Sequence, residues 1–168
     1  MYDSSKDTVK HINVVRKYLN AIINSINHKW QYHDFTKLFE PEKSIFDKVT
    51  PKLKELTYGS EEYNNQLKEM QVALDHHYKN NSHHPEHYEN GIRDMDLVDI
   101  VEMICDWKAA SERHEDGDII KSIEINQKRF NYSDDLKQIL INTVKRRIEP
   151  IQYEDNNIDE SYSFEVGV

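Results

Sequence analysis

Five of the nine histidines in this chain, His76, His77, His83, His84 and His87, fall within twelve residues. Neutral imidazole is a common ligand for Zn, Mn, Fe, Co and Ni. Asn80-Asn81-Ser82, Pro85 and Glu86 interrupt the cluster, which distinguishes it from a run of tag histidines. An ordinary solvated loop is the plain alternative, and metal binding is the sharper reading.

The stretch from Met95 to His114 carries the second set of candidate ligands. At about 100° per residue, Asp99, Glu102, Asp106, Ala109, Ala110 and Arg113 share one helical stripe. Most of what flanks the stripe is apolar (Leu97, Val98, Ile100, Val101, Met103, Ile104, Cys105, Trp107), so the helix is expected to be buried nearly all round, with Cys105 in the core. Three inward carboxylates must then find cations, because an unpaired buried charge costs several kcal/mol, on the order of a failed fold. Salt bridges to Arg or Lys are one solution. A metal shared with the histidines is the other, and the small Ala109 and Ala110 leave room beside it. His33-Asp34 is a third candidate, able to bind one ion if a helix ends there and both side chains converge. Lys37, three places on, is placed to hold a phosphate oxygen. His11 precedes the pair by 22 residues on a helical face.

Helices must position these groups. Only four Gly and four Pro occur in 168 residues, too few for the tight turns of a sheet-rich fold, so an all-α fold is expected. One domain over residues 1–148 fits the length. The helices are read as a first segment from Asp7 or Thr8 with Ile12, Val15, Leu19, Ile22 and Ile26 at helical spacing; a second around Trp30 to Leu38; a short one after Pro41; one capped at Ser60 and running to about Tyr78; an irregular loop from Asn80 to Gly91; then Met95 to His114, Ile119 to Phe130 and Ser133 to Ile148. From Glu149 there are six acidic residues and no basic one, which reads as a flexible acidic tail over 149–168, with a short edge strand near Tyr162 to Val166.

The net charge of −9 opposes duplex nucleic acid as a partner. A single cysteine rules out an internal disulfide framework. No signal peptide and no stretch of 18 apolar residues occurs, so no membrane partner is expected and the default compartment is the cytoplasm.

These residues resemble the HD-domain superfamily of metal-dependent phosphohydrolases. That pattern has a histidine on one helix, a His-Asp pair some twenty residues later, and an aspartate on a later helix. His11 matches the first position, His33 and Asp34 the second, and Asp106 in ICDWKAA the last; HDFTK resembles HD-x-G-K, with Thr36 in place of Gly. HHPEHYENG is similar to the histidine-rich segment of the phosphodiesterase-like HD proteins. Across roughly residues 8 to 145 the chain also resembles a group of uncharacterised, mainly phage-encoded proteins sharing HD, HHPEH and CDWKAA motifs.

The resemblance implies a compact HD-like helical bundle that hydrolyses a phosphate ester or anhydride of a small molecule, a nucleotide above all. His33, Asp34 and Asp106, joined by His11, would hold one divalent ion (Mn, Fe, Zn, Co or Ni). His77, His83 and His84 would hold a second, with Asp34 bridging. Lys37 would clamp phosphate, Glu102 would orient a ligand or act as base, and His87 would protonate the leaving oxygen. Arg93, Lys108 and Arg113 are alternative phosphate contacts. His11 carries a geometric condition. On an unbroken helix from residue 8 to 26 it would lie ~22 Å from the helix end, while residues 27–33 span at most ~23 Å. Its participation therefore requires a break near Asn20 to Asn24. Two other classes fit the composition: an all-α, magnesium-dependent nucleoside triphosphate pyrophosphatase using Glu102 and Asp106, which leaves the histidines idle, and a non-enzymatic acidic binding or inhibitor protein acting through its tail.

Overall fold

The computed structural model describes residues 2–54, 56, 61–113 and 117–150, without the side chains at 54, 63, 64 and 67. The cap read at Ser60 and the tail beyond Pro150 lie outside what is described. Among the described residues there are seven α-helices and no strand: α1 (Ser5–Tyr32), α2 (Glu42–Lys54), α3 (Glu61–Glu69), α4 (Gln71–Asn80), α5 (Leu97–Ser111), α6 (Ile119–Phe130) and α7 (Asp134–Thr143). The all-α expectation holds. None of these helices is long and apolar enough to cross a membrane.

Local chemistry explains several boundaries. Asp96 accepts from the backbone N–H of Val98 and Asp99 and, with Asp99 reaching back, closes a capping box on α5. Asp118 caps α6 and Ser133 caps α7 through the same side-chain-to-backbone bonds, each worth about 1 kcal/mol. Asn131 takes the left-handed conformation that ends α6 (φ 49°), one of the few residue types that does so without large strain. Beyond α7 the chain widens into a π turn, Val144–Ile148, before Pro150.

The main core lies between α5, α6 and α7. Met103, Ile104, Ile119, Ile123, Leu140 and Val144 are buried there, with Tyr132 sealing one end by donating its hydroxyl to the Ile123 carbonyl at 2.6 Å. Trp107 stacks on Phe130 at the edge of this core, ring centroids 6.2 Å apart. α5 is not buried all round: Leu97, Val101 and Cys105 are exposed. One side of α5 packs in the core, a second faces the histidines, and its remaining side, with Cys105, meets solvent.

The first helix departs most from expectation. Residues Ser5–Tyr32 form one uninterrupted helix, with no break in the Asn-rich stretch, because Asn at isolated helical positions costs only tenths of a kcal/mol, about half a unit. His11 is exposed and sits about 33 Å along the axis from His33 at ~1.5 Å per residue. It is not a ligand in the same site as His33. The reading of one helix from Ser60 to Tyr78 is also corrected, since the chain turns at Met70 between α3 and α4.

Candidate metal centre

α1 ends at Tyr32, and the chain reverses through Asp34, whose left-handed backbone (φ 56°, ψ 14°) opens the 3-10 turn Phe35–Leu38. Asp is among the residues that tolerate this conformation. The reversal lets the neighbouring side chains of His33 and Asp34 converge on one point. α5 brings Asp106 and Glu102 to that point, and α4 with the loop after it brings His77, His83 and His84.

Six of the seven residues expected to bind metal are thereby gathered. Asp34, His77, His83 and His84 form one group and His33, His83 and Asp106 another; within each, the ligand atoms lie within 4.8 Å of one another, and each group could hold a metal ion. Asp34 Oδ1 is 3.2 Å from His77 Nε2 and 3.5 Å from His83 Nε2. His33 Nε2 is 3.6 Å from Asp34 Oδ2 and 3.7 Å from Asp106 Oδ1. His77 and His84 bring their Nε2 atoms to 2.9 Å.

Three of these imidazoles are aimed from behind by buried carboxylates. His77 Nδ1 bonds Glu42 Oε2 at 2.9 Å. His33 Nδ1 bonds Glu102 Oε1 at 2.9 Å, and His83 Nδ1 lies 3.2 Å from the same oxygen. An Nδ1–H donated to a carboxylate leaves the Nε2 lone pair free and pointed forward, as in carboxylate–histidine–metal triads. Asp34 Oδ1 and His83 Nε2, both buried, have no hydrogen-bond partner. Buried polar atoms rarely go unsatisfied, and these two face the same centre. Ligands held at about 2.1 Å from one cation stand ~3.0 Å apart at right angles and ~3.4 Å apart at tetrahedral angles. The separations of 2.9, 3.2 and 3.5 Å match that edge length, so the residues present fit a divalent ion.

Glu42 escaped the sequence reading. It follows Pro41 in the first turn of α2, where an acid is unremarkable as a complement to the helix dipole. Only the packing of α2 on α4 makes it a fully buried anchor that also holds His76 Nδ1 at 2.7 Å. Glu42→Gln is expected to weaken metal binding about 10- to 100-fold, the usual cost of losing an outer-shell partner, with helicity unchanged. Competitive metal titration with a chromophoric chelator measures it, and an affinity equal to wild type would show that Glu42 only packs.

The three inward carboxylates of α5 divide between the two solutions that the sequence left open. Lys29 Nζ, from the last turns of α1, lies 2.8 Å from Asp99 Oδ1 and 3.0 Å from Glu102 Oε2, and donates to Ser82 Oγ at 2.5 Å. Tyr88 donates its hydroxyl to Asp99 Oδ2 at 2.5 Å. Asp99 is thus neutralised by an ordinary ion pair, Asp106 faces histidines alone, and Glu102 does both.

These neighbours set the protonation states. With no cation bound, the carboxylates of Asp106 and Glu102 hold His33 protonated, its pKa raised to about 10 against the opposing effect of burial, so His33 must release its Nε2 proton to ligate an ion. Burial pushes His84 down to about 3, helped by His83 and His77 beside it. Burial disfavours the Asp34 carboxylate, but His77 and Lys37 outweigh it and carry the pKa well below the carboxylate range. For Asp106 and Glu102 burial is likewise outweighed, chiefly by His33. At neutral pH the centre therefore holds anionic oxygens and at least one free imidazole at His84, a donor set for a borderline-soft cation.

Two expected catalytic residues are placed differently. Lys37 Nζ bonds Asp34 Oδ2 at 2.5 Å and lies over the Phe46 ring, so its charge is spent on a candidate ligand carboxylate. His87 is exposed, and its Nδ1 donates to the Tyr78 carbonyl at 2.9 Å; it belongs to neither ligand group. Lys108 pairs with Glu112. Arg113 instead lines a cavity of about 780 Å³ whose wall includes His84 and Asp106, together with Trp107, Lys121 and Arg129.

A family profile matches residues 1–146. The chain belongs to that family, the Family of unknown function (DUF5662). No curated protein and no solved structure matches it. The matched span of DUF5662 contains every residue of the two ligand groups, their anchors Glu42 and Glu102, and Lys29.

Proposed function

We propose that this member of DUF5662 binds one or two divalent transition-metal ions (Mn, Fe, Zn, Co or Ni) and hydrolyses a phosphate ester or anhydride of a small molecule, a nucleotide first among them. The observation that carries the reading is the pair of buried, unpartnered atoms, Asp34 Oδ1 and His83 Nε2, facing one centre among imidazoles that buried carboxylates hold in place. The first ion would lie among Asp34, His77, His83 and His84, and the second among His33, Asp106 and the Asp34 or His83 edge. Bound there, a divalent cation supplies Lewis-acid polarisation of a phosphoryl oxygen and lowers the pKa of a coordinated water. The protein's own part is orientation and charge. Glu42 and Glu102 fix the ring tautomers, and Lys37 holds Asp34.

The adjoining cavity supports a small phosphorylated substrate. It opens directly onto His84 and Asp106, carries the cations of Arg113 and Lys121, and offers the aromatic surface of Trp107 and Phe130. A phosphoryl group at the centre and a flat ring in the cavity suit those walls. The HD-domain reading draws support from the convergence of His33, Asp34 and Asp106 and loses its first histidine, His11. The magnesium pyrophosphatase reading is less favoured, because Glu102 is committed to Lys29, His33 and His83.

Elemental analysis of the tag-free protein, followed by a screen of nucleotides, cyclic nucleotides and sugar phosphates, tests the proposal. At least one equivalent of transition metal is expected, together with a phosphate-releasing activity lost on chelation and regained on adding Mn²⁺ or Co²⁺. A protein that neither retains nor takes up these ions would overturn it.

A further inference from the structure

From Tyr2 to Ser25 every residue is exposed. Among the described residues, the first five turns of α1 project as a solitary helix about 30 Å long at ~1.5 Å per residue, and α1 meets α5 near Lys29. Single helices of this length are marginal in water unless an apolar face is packed. Such a face exists. Ile12, Val15, Leu19, Ile22 and Ile26 alternate at spacings of three and four, the 3.5-residue period of a seam between paired helices. The first four are between 39% and 53% exposed, and Val9 and Ile23 beside them are equally open.

We infer that α1 pairs with α1 of a second copy of this chain in an antiparallel, two-fold-symmetric dimer. Three observations select that occupant. First, apart from His11 and Arg16 at its flanks, the polar residues stand away from the seam. Lys10, Lys17 and Asn24 fall directly opposite it and Lys6, Asn13, Asn20 and Asn27 next to them, where helix pairing leaves them in water. An acidic segment seeking those lysines would bind the other side. A lipid surface is disfavoured because Lys10 and Lys17 stand opposite the apolar face, where they would point away from headgroups beside it.

Second, the seam is symmetric about residue 17. In an antiparallel pair the opposed positions are Ile12 with Ile22 and Val15 with Leu19, each occurring twice. Each large aliphatic removes roughly 60–120 Å² on full burial, so the seam with Val9, Tyr18 and Ile23 supplies most of the ~800 Å² that one partner gives to a standard interface. Third, the charges agree with this direction. Lys6, Lys10, Arg16 and Lys17 against Asp7 give the projecting arm +3, which leaves −12 on the remainder of a chain whose total is −9. Both directions lay arm on arm, but antiparallel pairing carries Lys6 and Lys10 of each tip toward the partner's acidic body, whereas parallel pairing would set those lysines beside their own copies and body beside body.

Light scattering coupled to size exclusion, on the full chain across a dilution series, tests this. Wild type is expected at twice the 20.1 kDa chain mass. V15E alone and L19K alone should each halve that mass, with helicity by circular dichroism retained. V15E/L19K should restore the dimer, because the antiparallel register sets each introduced carboxylate against the partner's introduced ammonium. A wild-type mass of one chain at every concentration would overturn the inference, as would α1-dependent sedimentation with anionic vesicles in place of a dimer. Singles that dissociate while the double variant stays monomeric would overturn the antiparallel register.

Discussion

Asp34→Ala is expected to strip the protein of bound transition metal and of phosphate-releasing activity together. Asp34 Oδ1 stands within 3.5 Å of the Nε2 atoms of both His77 and His83, and Oδ2 within 3.6 Å of His33 Nε2. No other carboxylate among the described residues approaches all three of these imidazoles at the centre. Removing it deletes an anionic ligand and leaves the Lys37 ammonium beside the remaining histidines without its partner at 2.5 Å, which further repels a cation. Losing an outer-shell partner alone costs about 10- to 100-fold in metal affinity, so loss of this inner carboxylate should exceed that and bring metal content to background. His33→Ala should act in the same direction. His11→Ala should match wild type, since His11 lies at the far end of α1. Metal per chain by elemental analysis, with circular dichroism as the check on folding, measures all three. Wild-type metal content in both Asp34→Ala and His33→Ala would end the metal-centre reading.

Lys29→Met should produce a large loss of stability from a change outside the candidate ligand set. Lys29 joins α1 to α5 by pairing with Asp99 and Glu102, carboxylates whose side chains are 6% and 8% exposed. Breaking a buried pair by removing one partner typically costs ~3–5 kcal/mol, because the other charge remains in a poorly solvated place. Lys29 itself is 25% exposed, so about 2–4 kcal/mol is expected, equivalent to a fall in Tm of roughly 5–15 °C for a chain of this size. The pH dependence has a definite sign. Burial raises the pKa of Asp99 and Glu102, but their partners outweigh it (Lys29 first for Asp99, His33 first for Glu102) and both titrate below the ordinary carboxylate value. Their contribution is therefore fully present above the unfolded value near ~4 and is lost as pH falls through the lower folded values. The gap between wild type and variant should be widest near neutrality and close in acid. Thermal melts across that range test it, and equal Tm values at pH 7 would show that the pair contributes nothing.

Much of the centre was legible from residue types. A dense histidine run, a His-Asp pair and a stripe of acids on an otherwise apolar helix each pointed to cation binding, because burial forces charged groups to find partners. Those features and the likeness to the HD pattern together singled out six candidate ligand positions, and composition gave the helical class, since four glycines and four prolines cannot build many tight turns. Glu42 and Lys29 were illegible for a common reason. Each looks locally like a routine surface charge at a helix end, and its role comes only from the helix packed against it. His11 was misplaced because helical spacing reports which face a residue shares and not whether its helix continues; isolated Asn residues cost α1 too little to break it. Cys105 was misread because a nearly all-apolar pattern does not say which neighbour covers which side.

Taken alone, then, the order of residues determined the helical class and the apolar seam of α1, since each depends on composition or short-range period, while its likeness to the HD pattern singled out the six candidate ligands. Tertiary structure decided which acids meet lysine and which meet histidine, which atoms are left facing one another without a partner, and that no other described residue covers the α1 seam. Those outcomes depend on distances between helices far apart in sequence, and electrostatic energy, which falls with separation and rises as water is excluded, is settled only when those distances are set.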